Sequence, residues 1–519
     1  MGVNRLSAAQ AAALIESGQT VVCAGFVGAG HAEAVTAALE KRYVSSGLPR
    51  DLTLVYAAGQ GDRARRGVNH FGHAGLVKRV IGGHWISAPR LGRLVLDNAI
   101  EAYNLPQGVI THLYRAIAGG KAGVVSPIGL HTFVDPRHGG ARLTPRSTAA
   151  LVELLSIGGK EQLFYPAFPL DVALIRATTS DERGNLSTED EPFHHDLLTI
   201  AQAAHNSGGI VIAQIKQVVA NGTLDPNLVR VPGILVDHVV VTEDPADHWM
   251  TFGEAFNPAY VHAGGDAATA PAQAAEPGPL DARKIIQRRA LLELCALRSP
   301  VVNLGVGMPA GIGTLAREEG HDDFTLTVES GPIGGTPADK LSFGASAHPQ
   351  AVIDHAAMFD FYDGGGLDIA FLGLAEFDPA GNVNVSRFGD VVAGVGGFIN
   401  ITQSTPRVVF VGTLTADGLR VSAGDGRLRI EQEGRVSKLV PQVGQLSFNG
   451  RYVQSLGHQV RYITERAVFE LRQGNLVLTE IAPGIDLQRQ VLDMLAAPVV
   501  VAQDLVTMDA RIFRAGPMF

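Results

Sequence analysis

The chain has 519 residues, 46% of them hydrophobic and 18% charged, and a formal net charge of −9. That balance excludes a disordered chain, and with no basic block in sight nucleic acid binding has little electrostatic support. The length calls for two or more domains, while two cysteines, Cys23 and Cys295, make no disulfide framework and fit a reducing compartment.

In chain order, residues 1–20 read as a polar-punctuated amphipathic helix without the apolar core of a signal peptide, and Gly2 alone does not argue for myristoylation. No apolar run reaches the ~20 residues that span a bilayer, so a cytoplasmic protein is expected. Val21 to Gly28 is a strand running into glycine, and Asp51 to Gly61 is a second. Leu105-Pro-Gln-Gly108 sets Gln107 on a loop, where a surface turn is the plain reading. Asp171 to Ser187 is a third strand-and-turn unit, followed by a helical pattern from Asp196 to Ser207 and a buried strand from Gly209 to Ile215. Strands alternating with helices of this length predict parallel sheets covered on both faces. Residues 262–280, rich in Ala, Pro and Gly, form a linker between halves 1–261 and 281–519. Beyond it, a helical run leads into Val301 to Met308, then Asp323 to Gly335, Asp368 to Asn384, the cluster Gly394-Val-Gly-Gly-Phe-Ile-Asn400 before a further strand, and Val408 to Gly412. The stretch Arg407 to Thr415, with Gly418 to Val436, predicts an antiparallel patch.

Three of these units recur. Val21 to Gly28 matches Val301 to Met308 with Gly25 opposite Gly305, Asp51 to Gly61 matches Asp323 to Gly335, and Asp171 to Ser187 matches Asp368 to Asn384. In the last pair Asp171, Ala173, Asp181, Gly184 and Asn185 stand opposite Asp368, Ala370, Asp378, Gly381 and Asn382. Three pairs in one order argue for duplication, and the changing offset places an insertion around residues 62–160. The expected fold is α/β: two tandem related open domains with mainly parallel sheets and an active site between them.

Glu329 ends an apolar strand and is followed by Ser-Gly-Pro-Ile-Gly-Gly, a position at the carboxyl end of a strand where α/β sheets bind ligands. Such a carboxylate serves as base or nucleophile, or it caps the next helix. Its repeat partner is Ala57, and one charged member in a duplicated pair is what a single active site needs. The loop Gly394 to Gly397 offers backbone N–H groups to an oxyanion or is a tight turn. Gly305-Val-Gly307 fits no strict dinucleotide motif, and no P-loop, H-E-x-x-H, C-x-x-C or G-x-S-x-G occurs. His31, His70, His73, His84 and His112 show no metal spacing, so no metal is expected. Cys23, inside a strand, reads as packing. Tyr362, ahead of three glycines, either walls a substrate pocket or sits in a bend.

On these residues the sequence resembles a family I CoA-transferase of the fused single-chain type. The resemblance runs along nearly the whole chain, most specifically through residues 25–34, 80–94, 100–123, 303–311, 328–335, 358–389 and 394–403. It implies that Glu329 forms a thioester with CoA, that Gln107 helps hold an oxyanion, and that Gly394, Gly396 and Gly397 supply a loop near the thioester. It also implies a homo-oligomer, dimer or tetramer. Gly305, Gly307, Phe26 and Tyr362 complete the expected CoA- and substrate-binding set, with CoA a substrate and no cofactor needed. The implied reaction passes CoA from a short-chain acyl-CoA to acetate, propionate, butyrate or a 3-keto acid. An acyl-CoA hydrolase on the same scaffold is the alternative; a nicotinamide dehydrogenase lacks its glycine motif, and a non-catalytic metabolite sensor is disfavoured by the intact Glu329 and Gln107.

Overall fold

The computed structural model describes residues 2–262 and 279–519; residues 263–278, most of the expected linker, lie outside the described residues. The chain divides into two compact units. The first takes residues 2–262 together with 328–360 and 387–400, and the second takes 279–327, 361–386 and 401–519. The compact units therefore do not follow the linker: two segments of the second half of the sequence, Glu329's among them, belong to the first unit.

The first unit is built on eight strands, all parallel, in the spatial order Asn4–Leu6, His238–Val241, Ile210–Ile215, Val172–Arg176, Thr20–Cys23, Leu52–Tyr56, Val77–Gly82, Glu101–Asn104. Leu52–Tyr56 and Val172–Arg176 are buried at every position, as strands covered on both faces must be. The strand order reverses direction between Thr20–Cys23 and Val172–Arg176, the place where such sheets form a crevice. The second unit repeats the pattern with Thr325–Thr327, Val301–Leu304, Ile369–Gly373, Arg407–Val411 and Gln459–Ile463 in parallel. It then extends through antiparallel Ala467–Arg472 and Asn475–Ile481, with Val500–Thr507 parallel to the latter.

Hydrogen bonds establish the duplication and correct its register. Thr20 N donates to Asp171 Oδ2 at 2.7 Å, and Val301 N donates to Asp368 Oδ2 at 2.8 Å. Ala24 N reaches Leu174 O at 3.0 Å where Gly305 N reaches Phe371 O at 2.8 Å. Gly305 thus stands opposite Ala24, one residue from the expected Gly25: the glycines suggested a match that the strand ladder does not keep. The second pair holds, since Thr53 aligns with Thr20 and Thr325 with Val301. Carried two residues past the ladder, this register keeps Ala57 opposite Glu329.

The third pair is the same turn twice. Asp181 Oδ1 accepts from the N–H groups of Arg183 and Asn185, and Oδ2 from the Asn185 amide. Asp378 does the same with Ala380 and Asn382. Each asparagine then accepts a backbone N–H with its own oxygen, Asn185 from Gly233 and Asn382 from Gly450. Both aspartates are buried, so replacing either by Ala strands several polar groups at once. Asp181→Ala and Asp378→Ala should each lower stability by about 1–3 kcal/mol, read as a lowered urea midpoint of the unit concerned.

Two local expectations change. Residues 1–20 hold an edge strand, Asn4–Leu6, and only a short helix, Ala8–Ala13, with a Ser7/Gln10 capping box. Arg407–Val411 is a parallel strand whose apolar run is buried between two others; the antiparallel part is confined to Thr415–Ala416 with Val436–Ser437 and the hairpin Arg420–Gly424/Arg427–Gln432. Among the described residues no helix is long and apolar enough to cross a membrane.

Candidate active site

Four neighbouring strands of the first unit end on one edge, and each releases a residue that matters there: Phe26 after Thr20–Cys23, Ala57 after Leu52–Tyr56, Gly83 and His84 after Val77–Gly82, Gln107 after Glu101–Asn104. Gln107 is not on an exposed loop. It opens the helix Gln107–Ala118 behind Pro106 and is only 4% exposed. Proline suits this position, because its φ is helical and its missing N–H has no helical acceptor.

The loop 393–397 is stitched to these strand ends. Ala393 O accepts from Trp85 N at 2.7 Å, Val395 N donates to Asn104 Oδ1 at 3.0 Å, Gly396 N donates to Gly83 O at 2.7 Å, and Gln107 N donates to Gly396 O at 2.9 Å. Asn104, fully buried, also donates to Gly82 O and Gly83 O at 2.9 and 2.6 Å, so one amide ties two strand ends to the loop. After Gly397 the chain enters a helix, Phe398–Ser404, and not the expected strand. Gly394 and Gly396 have φ of +74° and +52°, which Cβ-bearing residues rarely adopt.

Glu329 is half-buried between buried Val328 and Ser330. Val328 N bonds Pro332 O and Gly331 N bonds Val328 O, both at 3.0 Å, closing a turn around the carboxylate. Ser330 Oγ donates to Gly344 O at 2.5 Å. Two consecutive glycines cover the two candidate residues. A Cβ on Gly396 would lie 3.4 Å from Gln107 Oε1, and one on Gly397 would lie 3.3 Å from Glu329 Cγ and 3.0 Å from the Phe359 ring. The Gly396 N–H is already committed to Gly83 O, so of the loop glycines expected to offer N–H groups it is Gly397 that stands over Glu329. Gly397→Ala should fold normally, yet its methyl group displaces Glu329 or Phe359. With Glu329 as the reacting group that the resemblance implies, a roughly 10–100-fold slower turnover at saturating substrate is expected for a shift of less than 1 Å.

Phe26 is buried beside this cluster. It packs on Phe193 at 5.8 Å, Phe343 at 5.9 Å and the His355 ring at 5.7 Å between centroids. The next residue, Val27, has φ +50°, a conformation that costs a β-branched residue about 1–3 kcal/mol and that clusters at functional sites. His84 sits against the loop, opposite Gly394, and burial with help from Arg63 pushes its pKa down to about 4, which keeps it neutral.

Two residues the sequence did not single out join the cluster. His355 Nε2 lies 2.9 Å from Gln107 Nε2, and its Nδ1 lies 2.7 Å from Asp196 Oδ2. All three side chains are buried, at 4%, 2% and 8% exposure for Gln107, His355 and Asp196. Nothing local marks them: Asp196 reads as a helix start after two histidines, and His355 lies far away in sequence.

Gly305, Gly307 and Tyr362 belong to the second unit. Gly305 continues the ladder of Val301–Leu304, and Gly307, at φ +88°, has open space where a side chain would be. Tyr362 is fully buried in the helix His355–Asp363, its hydroxyl donating to Thr327 Oγ1 at 2.8 Å. Between the readings of pocket wall and bend, its surroundings are those of a core residue. Burial drives the Cys23 thiol pKa far up, which removes it as a nucleophile. His31 is held by Gln60 and Thr36, His70 by Glu33 and Glu40, and His73 by Glu40, so these three are structural. A cavity of about 710 Å³, lined by Phe193, His194, Asp225, Arg230, Tyr260 and Val352 among others, touches neither Glu329 nor Gln107.

The coenzyme A transferase family model matches residues 5–242. Acetate CoA-transferase YdiF of Escherichia coli K12 is 44% identical over 511 residues, 98% of this chain and 94% of its own length. Caffeate CoA-transferase of Acetobacterium woodii is also 44% identical, over 98% of this chain and 97% of its own. Crystal structures of the acyl-CoA transferase YdiF from E. coli O157:H7, as apoenzyme and as a thioester complex with CoA, both match with TM-score 0.92 and 42% identity over all of this chain and 97% of theirs. Malonate decarboxylase α subunit of Acinetobacter baumannii, at TM-score 0.54 and 13% identity, shares the fold alone. A duplicated parallel α/β scaffold, a half-buried glutamate under a glycine loop, and full-length relatives that are CoA-transferases together place this chain in the coenzyme A transferase family, as an enzyme of CoA transfer.

Proposed function

We propose that the enzyme passes CoA from a short-chain acyl-CoA to a free carboxylic acid through a thioester on Glu329. The observation that carries this is the placement of adjacent glycines over the two candidate residues, Gly397 over Glu329 and Gly396 over Gln107. Glycines there let backbone come close to a thioester carbonyl on Glu329 where a Cβ would crowd the two side chains.

The chemistry is a double exchange. A Glu329 carboxylate oxygen attacks the acyl carbonyl of acyl-CoA; the C–S bond breaks, giving a mixed anhydride and CoA thiolate. The thiolate then attacks the Glu329 side-chain carbonyl, breaking its C–O bond to the acyl group and forming the glutamyl-CoA thioester. The departing acid carries away one of the original glutamate oxygens. An acceptor carboxylate enters and the steps run backwards. Each tetrahedral intermediate carries an oxyanion, and the Gln107 amide and Gly397 N–H are the donors proposed for it. A carboxylate is a weak nucleophile at its ordinary pKa near 4.3, so binding energy from the remote part of CoA must be spent on the reacting centre.

The relatives' names, acetate and caffeate CoA-transferase, bracket small and bulky acids. We assign acetate, propionate, butyrate and 3-keto acids as the acceptor panel, with a dimer or tetramer as the working assembly. With acetyl-CoA as donor, propionate or butyrate should appear as its CoA ester with little free CoA. Stoichiometric release of free CoA without any acceptor would replace this reading with hydrolysis.

A further inference from the structure

Asp196 stands where a helix cap normally works, at the N-cap of Leu197–Asn206, yet its carboxylate makes no capping bond to that helix. It points instead to His355 Nδ1 at 2.7 Å. It does so from a left-handed backbone, φ +60°, directly after His195 at φ +52°. Two successive non-glycine residues in that region persist only when their surroundings hold them there. Here His195 is clamped by Glu191, which also takes a bidentate ion pair from Arg176, all of it buried. A strained turn, braced from below and giving up its own cap, delivers one carboxylate to one imidazole.

The consequence is a proton count. A carboxylate only accepts, so His355 Nδ1 carries the hydrogen, and in the Nδ1–H tautomer the ring's lone pair lies at Nε2. That lone pair is 2.9 Å from Gln107 Nε2, so the amide must donate to it. The amide's N/O orientation is thereby set: NH₂ toward His355, Oε1 toward Gly396. One N–H is used by His355 and the second is left for a ligand. With a turned-over amide, Oε1 would take the donor's place and repel an oxyanion.

We propose that Asp196 and His355 are positioning residues that fix the tautomer and hence the orientation of the Gln107 amide, so that it can only donate to the developing oxyanion; this rests on the reading of Gln107 as an oxyanion donor. The logic is that of any carboxylate–imidazole pair whose value lies in holding one tautomer.

The test is a double-mutant cycle on the intact enzyme, with acetyl-CoA as donor and propionate as acceptor. Gln107→Ala should lower kcat by ~10²–10³-fold. His355→Phe should approach the lower end of that loss, with KM for acetyl-CoA changed by less than about threefold. His355→Gln, which restores an acceptor near Nε2, should recover most of the rate. In a Gln107→Ala background, His355→Phe should cost nothing more, because its effect runs through the amide. Multiplying losses would overturn the proposal and leave His355 as packing. An unaffected Gln107→Ala enzyme would overturn the oxyanion reading itself and the proposal with it. Asp196→Asn, equal in size, covers the case of a His355→Phe chain that does not fold: ring-¹⁵N histidine spectra should show His355 leaving the Nδ1–H tautomer as kcat falls, and an unchanged tautomer with full activity would overturn the proposal.

Discussion

Incubated with acetyl-CoA and no acceptor, the enzyme should gain the mass of CoA less one water on the peptide that holds Glu329, and Glu329→Gln should gain nothing while turnover drops by ~10⁴-fold or more. Losses of that order follow removal of a nucleophile from a site that acts as a unit. Glutamine is the informative replacement because it keeps the volume under Gly397 and Phe359 and only turns the nucleophilic carboxylate into a neutral amide. Glu329→Asp should keep the adduct but lose about 10²-fold in rate. Val328 and Ser330 are buried and bonded to Pro332 and Gly344, so the backbone cannot advance to make up for a lost methylene, and a misplacement near 1 Å costs about 10²-fold. Free CoA without an adduct would make the enzyme a hydrolase, and neither product would remove Glu329 from the mechanism.

How much of this was legible in the sequence depends on the range of the interaction. The duplication was, because strand-to-turn units carry their own signature: Asp181 and Asp378 bond to residues two and four places on, so the pattern survives as a motif. The first pair was misaligned by one because glycine drew the match, whereas the ladder is set by backbone partners across strands. Glu329 could be nominated from its place at a strand end. Gln107 could be nominated only through resemblance, since a Pro-Gln-Gly tripeptide looks like a turn, and the loop 393–397 packed on it lies almost 300 residues away. Asp196 and His355 were invisible for the same reason: their meeting spans 159 positions, and an aspartate before a leucine-rich helix is ordinarily a cap. The break between compact units was hidden too, because a run rich in Ala, Pro and Gly marks a change in composition and not where segments pack.

Gln107→Ala should lower kcat by ~10²–10³-fold, about 2.7–4 kcal/mol of transition-state stabilisation, with KM for the acyl-CoA nearly unchanged. The reasoning starts from what is available to stabilise an oxyanion. The loop offers less than its glycines suggest, because Gly396 N–H is bound to Gly83 O at 2.7 Å. The loop amide that stands over Glu329 is that of Gly397, and Gln107 adds one side-chain amide, so neither can stand in for the other. The Gln107 backbone is itself fixed by its bond to Gly396 O at 2.9 Å and by the helix it opens, which means that truncation removes the amide without moving the chain. Gln107→Glu should be worse than Gln107→Ala, since a carboxylate puts acceptors and negative charge where a donor is required. Single-turnover formation of the Glu329 adduct separates the cases: with Gln107 as an oxyanion donor, adduct formation slows in both variants and slows more in Gln107→Glu. If instead adduct formation were untouched and only KM rose, Gln107 would be a binding residue and the oxyanion would rest on Gly397 alone.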